Sequence, residues 1–157
     1  MTYNIHEHMG PQISLTMKTF YFNTLGLFIL LLSSLQLSGQ AIVINAPVPA
    51  DNPNLPGVSP WGAVCAGNGG FNEYFVEINW AGTANAGNEF ILELSDETGD
   101  FSSAVTLNTI TDKNTEQNFL ASFAIPETTR GSGYKLRVRS TDPVKIGTAS
   151  IAYNMYY

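Results

Sequence analysis

Histidine is nearly missing from this chain, and its placement restricts what the rest can do. Only two histidines, His6 and His8, stand among 157 residues, both in the first sixteen. Cysteine occurs once, at Cys65. No disulfide can close within the chain, which excludes a disulfide-stapled secreted domain. The bland reading of Cys65 is a buried, inert thiol, because free cysteine packs like a small hydrophobe; the other is a partner outside the chain. Charged residues make up 13% of the sequence, about half of the ~25% usual in soluble domains. The net charge of −6 disfavours nucleic acid, which draws basic surfaces. Past residue 41 no stretch repeats apolar residues at the i, i+3, i+4 spacing of an amphipathic helix.

What is present begins with a leader. Lys18 follows Met17, and the run Leu25-Gly26-Leu27-Phe28-Ile29-Leu30-Leu31-Leu32 ends in Ser38-Gly39-Gln40-Ala41. A positive head, an apolar core of roughly 7–15 residues and a small-residue exit make a signal peptide, here 17–41 and helical in its apolar part. A membrane span needs about 20 apolar residues, so no span is expected once the leader is cleaved, after Gly39 or after Ala41. A leader starts close to its positive charge, so residues 1–16 read as a misassigned extension before a true start at Met17. The mature chain then loses Glu7 and Lys18, keeps its net charge, and holds no histidine. Export to the periplasm, cell surface or medium follows.

The mature sequence alternates in strands. Residues 42–62 open with Ile42-Val43-Ile44 and continue through Pro47, Pro49, Pro53, Pro56 and Pro60. Repeated proline removes backbone donors and favours extended chain, so Ala46–Gly62 is expected to be a linker or extended arm outside the core. Residues 63–157 carry the domain. After the turn signal Asn68-Gly69-Gly70, Tyr74, Val76, Ile78 and Trp80 alternate with Glu73, Phe75, Glu77 and Asn79, predicting a strand with one buried face. Phe90, Leu92 and Leu94 predict a second strand, with Glu89, Ile91 and Glu93 outward. Val105 and Leu107 point inward on a third, and Phe119, Ala121, Phe123 and Ile125 on a fourth. Tyr134, Leu136 and Val138 alternate with Lys135, Arg137 and Arg139, and Ala149–Tyr157 can pair as a last strand. Several short strands separated by turns indicate an all-β sandwich or barrel.

Chemistry is hard to find. Serines are plentiful, but the mature chain has no histidine to act as their base. Zinc ligation fails for want of clustered Cys and His, and no glycine loop followed by Lys-Ser/Thr cradles phosphate. No catalytic residue and no cofactor is expected. Glu73 and Glu77, with Glu89 and Glu93, would share one surface if their strands paired. A glycosidase needs two carboxylates about 5–10 Å apart in a cleft, but outward glutamates on alternating strands are ordinarily a solvated face. Asp96, Glu97 and Asp100 around Gly99 offer oxygen ligands for Ca²⁺, though Asp and Gly are equally what a tight turn needs. The stripe Lys135, Arg137, Arg139 could hold an anionic partner or glycan, but cross-strand pairing with glutamates is the plainer reading. Tyr153, Tyr156 and Tyr157 are expected to be exposed, and such rings stack on sugars.

Several segments together resemble a known domain type. These are Cys65; Phe71-Asn72-Glu73-Tyr74-Phe75-Val76; Asn88 through Phe101; Ala124-Ile125-Pro126; and Gly133 through Pro143. Residues 62–157 resemble domains of very large surface and gliding-motility proteins of flavobacterium-like bacteria, exported by the type IX secretion system. The resemblance implies an immunoglobulin-like antiparallel β-sandwich with a structural or adhesive role among other protein modules, and it transfers no catalytic residue. Such proteins typically continue past this point, so the chain is expected to be the N-terminal part of a larger protein. Carbohydrate binding is the alternative, and a small hydrolase the lesser one. The last strand, 149–157, is expected to be the open edge that takes a partner strand.

Overall fold

Eight residues from Tyr74 to Ala81 set the frame. Aromatic and β-branched side chains at every second position favour extended backbone and give it a single apolar face. The computed structural model describes residues 41–67 and 69–157, and here these residues form strand β4 with Tyr74, Val76, Ile78 and Trp80 buried. The leader, the extension with His6 and His8, and Asn68 of the expected turn lie outside the described residues.

Strand β4 carries β7 (Asn118–Phe123) along one edge and β1 (Val43–Ile44) and β2 (Val48–Ala50) along the other, all antiparallel. A second sheet has the order β10 (Val144–Ile146), β9 (Leu136–Thr141), β5 (Phe90–Leu94), β6 (Val105–Ile110), also antiparallel. In a third ladder β11 (Tyr153–Tyr156) lies between β8 (Arg130–Tyr134), antiparallel, and β3 (Val64–Cys65), parallel. Only Lys135 separates β8 from β9, so the second and third ladders follow one stretch of chain. The described part is all-β, with its strands in open sheets and no helix among the described residues.

The buried faces meet in one core. Trp80 stacks at 5.1 Å on Phe90, and Phe90 at 5.6 Å on Phe119. At the other end Trp61 meets Tyr153 at 4.9 Å and Phe123 at 5.6 Å. Val76, Ile78, Leu92, Leu136, Val138 and Met155 are fully enclosed between these groups. Each such side chain contributes about 1.5–3 kcal/mol relative to exposure.

Four expectations are corrected. The proline-rich stretch is not wholly outside the core: Pro47 is buried and Trp61 packs against the core, while residues 53–60 are exposed. Pro49 is tolerated within β2 because that strand is an edge, where a missing N–H costs no ladder bond. Val105 is 43% exposed. Strand β6 is an edge strand with one extra residue opposite the Leu92/Glu93 step, which breaks strict alternation. Ile91 and Glu93 are buried, although they alternate with the core row. Their strand is central in its sheet, and the arginines of β9 lie beside them. The last strand is no open edge, since β11 has a partner on each side.

Two glycines are fixed by close approach. A Cβ at Gly133 would collide with the carbonyl oxygen of Glu97, and one at Gly147 would sit 2.6 Å from Val138 O and 2.8 Å from Ile44 Cβ. Around Gly62 there is open space. Gly147→Ala and Gly133→Ala should each cost the ~1–3 kcal/mol of overpacking or more. Gly62→Ala should stay within about 0.5 kcal/mol. Urea denaturation of the three variants checks the contrast.

Candidate functional site

The basic stripe comes first because its residues are the least free. On the outer face of the second sheet, Glu93 stands opposite Arg137 in the β5–β9 register, two pairs along from Arg139 opposite Ile91. One carboxylate oxygen of Glu93 takes the Arg137 Nε–H at 2.7 Å and the other takes the Arg139 Nε–H at 2.7 Å. Arg137 also lies over the Phe101 ring, its guanidinium carbon 4.2 Å from the centroid. The cross-strand reading of the stripe therefore holds for Arg137 and Arg139. Lys135 is half-buried, and its backbone N–H donates to Ser95 Oγ at 2.8 Å. What looked like three cations offered to a partner is one ion cluster plus a single lysine.

The glutamate rows do not combine. Strands β4 and β5 belong to different sheets, so Glu73 and Glu77 do not share a surface with Glu89 and Glu93. Glu77 accepts from Asn79 and Asn118 side chains at 2.8 Å each, and these bonds, Asn79 first, hold its carboxyl below the usual range. The acidic turn is likewise occupied by its own backbone. Asp96 Oδ1 accepts from the N–H groups of Thr98 and Asp100 at 2.9 Å and from the Thr98 hydroxyl at 2.8 Å. Gly99, at φ 86°, closes the turn in a conformation other residues resist. The Asp100 amide, then the Thr98 hydroxyl, lowers the Asp96 carboxyl, and the Ser102 hydroxyl lowers that of Asp100. No group of three metal-ligating side chains converges among the described residues, and Asp96, Glu97 and Asp100 form an Asx-type turn.

The C-terminal tyrosines separate. Tyr153 is buried, correcting its expected exposure, because it points inward from β11 against Trp61; burial pushes its hydroxyl pKa up. Tyr156 is 46% exposed. Tyr157 is half-buried, its hydroxyl 3.5 Å from Glu127 Oε1. Cys65 is exposed rather than buried. The inward position of β3 belongs to Val64, so its neighbour must face out. Cys65 and Arg130 flank Tyr156 in the pairing register.

Two features escaped sequence reasoning. The first is a half-enclosed pocket of about 70 Å³ where the loop 52–60 folds over the start of β4, lined by Leu55, Val58, Trp61, Phe71, Tyr74 and Phe75, with Glu73 among the lining groups. Its aromatic residues are legible in the sequence, but their meeting depends on where the loop lands. The second is the free side of β10. Gly147 N–H donates to Val138 O at 2.8 Å. Antiparallel alternation then turns the Lys145 backbone toward β9 and the Val144 and Ile146 backbones away. Val144 is 79% exposed and Ile146 56%.

Comparison with protein-family models, curated proteins and solved structures finds no match to the chain.

Two outcomes follow from these clusters. Glu93→Ala leaves two neighbouring guanidiniums without their carboxylate and should cost about 2 kcal/mol. Replacing Glu93, Arg137 and Arg139 together by Leu, Met and Met should recover most of that loss in urea denaturation. Asp96 and Asp100 titrate lower in the folded state than their ordinary 3.8. Their contribution is complete at neutral pH, begins to fail as the pH falls past that value, and is gone below the lowered ones. Asp96→Asn should therefore lose less stability than the parent protein between neutral pH and about pH 3, read as the shift in urea midpoint.

Proposed function

We propose that this chain is an exported, non-enzymatic β-sandwich module of immunoglobulin-like type, part of a cell-surface adhesion or gliding-motility assembly. The observation that carries the reading is the strand order. One layer runs β1/β2, β4, β7; the other runs β6, β5, β9, β10. The chain returns at its end beside β8 and β9, and one core lies between the layers. That division of strands is the one expected of an immunoglobulin-like sandwich.

Its work would be to hold position and offer surface. The side chains best suited to chemistry serve the architecture: Glu93 binds two arginines, and Asp96 binds its own turn. Both counsel against the hydrolase reading, as does the separation of the glutamate rows onto two sheets. The glycan reading loses Tyr153 to the core. For partner proteins the favoured surface is the free side of β10, where apolar side chains flank outward-facing backbone groups, the condition for strand addition. Lys145 between them makes an acidic partner strand the better fit and a second β10 the worse one, since like charges would then oppose.

The test is co-purification from cell envelopes. Val144→Asp together with Ile146→Asp should leave the circular dichroism spectrum unchanged and reduce recovery of envelope partners about tenfold or more. Undiminished recovery would remove β10 from the assembly surface.

A further inference from the structure

The pocket beneath the proline-rich loop is built with more care than a packing defect. Asn52 anchors the loop: its Nδ2 donates to Glu73 O at 3.2 Å, and its Oδ1 accepts from Asn54 N–H at 2.8 Å. Asn54 Nδ2 in turn donates to Glu73 Oε2 at 3.2 Å and steadies that carboxylate beside the pocket. Two of the aromatic walls are held by their polar tips. Trp61 Nε1 donates to Phe75 O at 2.7 Å. The Tyr74 hydroxyl donates to Cys65 O and accepts from Cys65 N–H. With those tips engaged, the rings turn carbon toward the cavity. Tyr74 stands at 79° to Trp61 and 76° to Phe71, so the walls meet nearly at right angles, and Phe71 is 48% exposed on the outer side.

The chemistry of this lining selects its ligand. An anion would meet Glu73 in a protein of net charge −6. A sugar needs several free donors and acceptors, and the polar tips of Asn52, Trp61 and Tyr74 are already bonded, leaving the Ser59 hydroxyl and the Glu73 carboxylate. A neutral apolar group would fill the walls but draw the Glu73 carboxylate out of water without a counter-charge. A cation sheathed in carbon satisfies both parts, since ring faces attract positive charge and the carboxylate neutralises it. Glu73 has no ion-pair partner among the described residues. A volume of about 70 Å³ suits a headgroup or a side-chain tip. We propose that the pocket between Trp61, Phe71, Tyr74 and Glu73 binds an alkylammonium group, from a small quaternary amine or from a lysine side chain of a partner. This does not rest on the module reading above.

Titration of the full chain, followed by the Trp61 indole N–H resonance, decides it. The probes are choline, its uncharged isostere 3,3-dimethylbutan-1-ol, and N-acetyl-lysine amide. Saturable shifts are expected with choline or the lysine amide, and whichever binds identifies the source. The uncharged isostere should bind about tenfold more weakly. Glu73→Gln should abolish that preference for charge, and Phe71→Leu, at an exposed position, should weaken the cation severalfold if Glu73→Gln fails to fold. Equal binding of the isostere, cation binding untouched by both folded variants, or no saturable shift with either cation would overturn the proposal.

Discussion

Four side chains of one strand, Tyr74, Val76, Ile78 and Trp80, must leave water together, and the strand cannot cover them by itself. That requirement drives the architecture. Covering the row takes Phe119, Ala121 and Phe123 from the paired strand and Phe90, Leu92, Leu136 and Val138 from the facing sheet. The ends of β4 are fixed by the same need. Trp80 gives its indole N–H to Glu116 O at 2.7 Å, and Tyr74 exchanges hydrogen bonds with the backbone of Cys65. The polar tips of both terminal aromatics of β4 have thereby found partners, the condition under which such rings can be buried at low cost.

Much of this was legible in the sequence, and the reasons differ by element. Strands β4 and β9 stand out because a strict two-residue period survives over many positions, and burial follows it residue by residue. Strand β3 could not be seen, since two residues carry no period. The proline-rich stretch misleads because proline marks both linkers and edge strands, and only the neighbouring strand distinguishes them. Burial of Ile91 and Glu93 is a two-dimensional effect: the period describes a strand alone, whereas exposure depends on what crosses it from the sides. Tyr153 and Cys65 were misplaced for a related reason, as each takes its facing from a pairing register that the local sequence does not encode.

The candidate sites divide along the same line. Pairing of the β9 arginines with a glutamate was foreseeable from charge and alternation. That one carboxylate serves both arginines depended on the register that sets Glu93 opposite Arg137. The acidic turn read correctly as a turn, because Asp-x-x-Gly-Asp supplies both the acceptor and the left-handed position the backbone needs. The aromatic pocket joins residues from a loop and a strand whose encounter is decided by two asparagines, Asn52 and Asn54.

The parallel pairing of β3 with β11 has a mechanical consequence. Val64-Cys65 lies near the start of the domain and Met155-Tyr156 near its end, running side by side in the same direction. A pull that draws those two segments apart loads their hydrogen bonds along the strand axis, all at once. An antiparallel hairpin pulled from its open end yields one bond at a time. Shear of this kind also drags Val64 and Met155, both fully enclosed, across the core before the sheets can part. Tension applied between these two segments is therefore carried in shear by their parallel pairing.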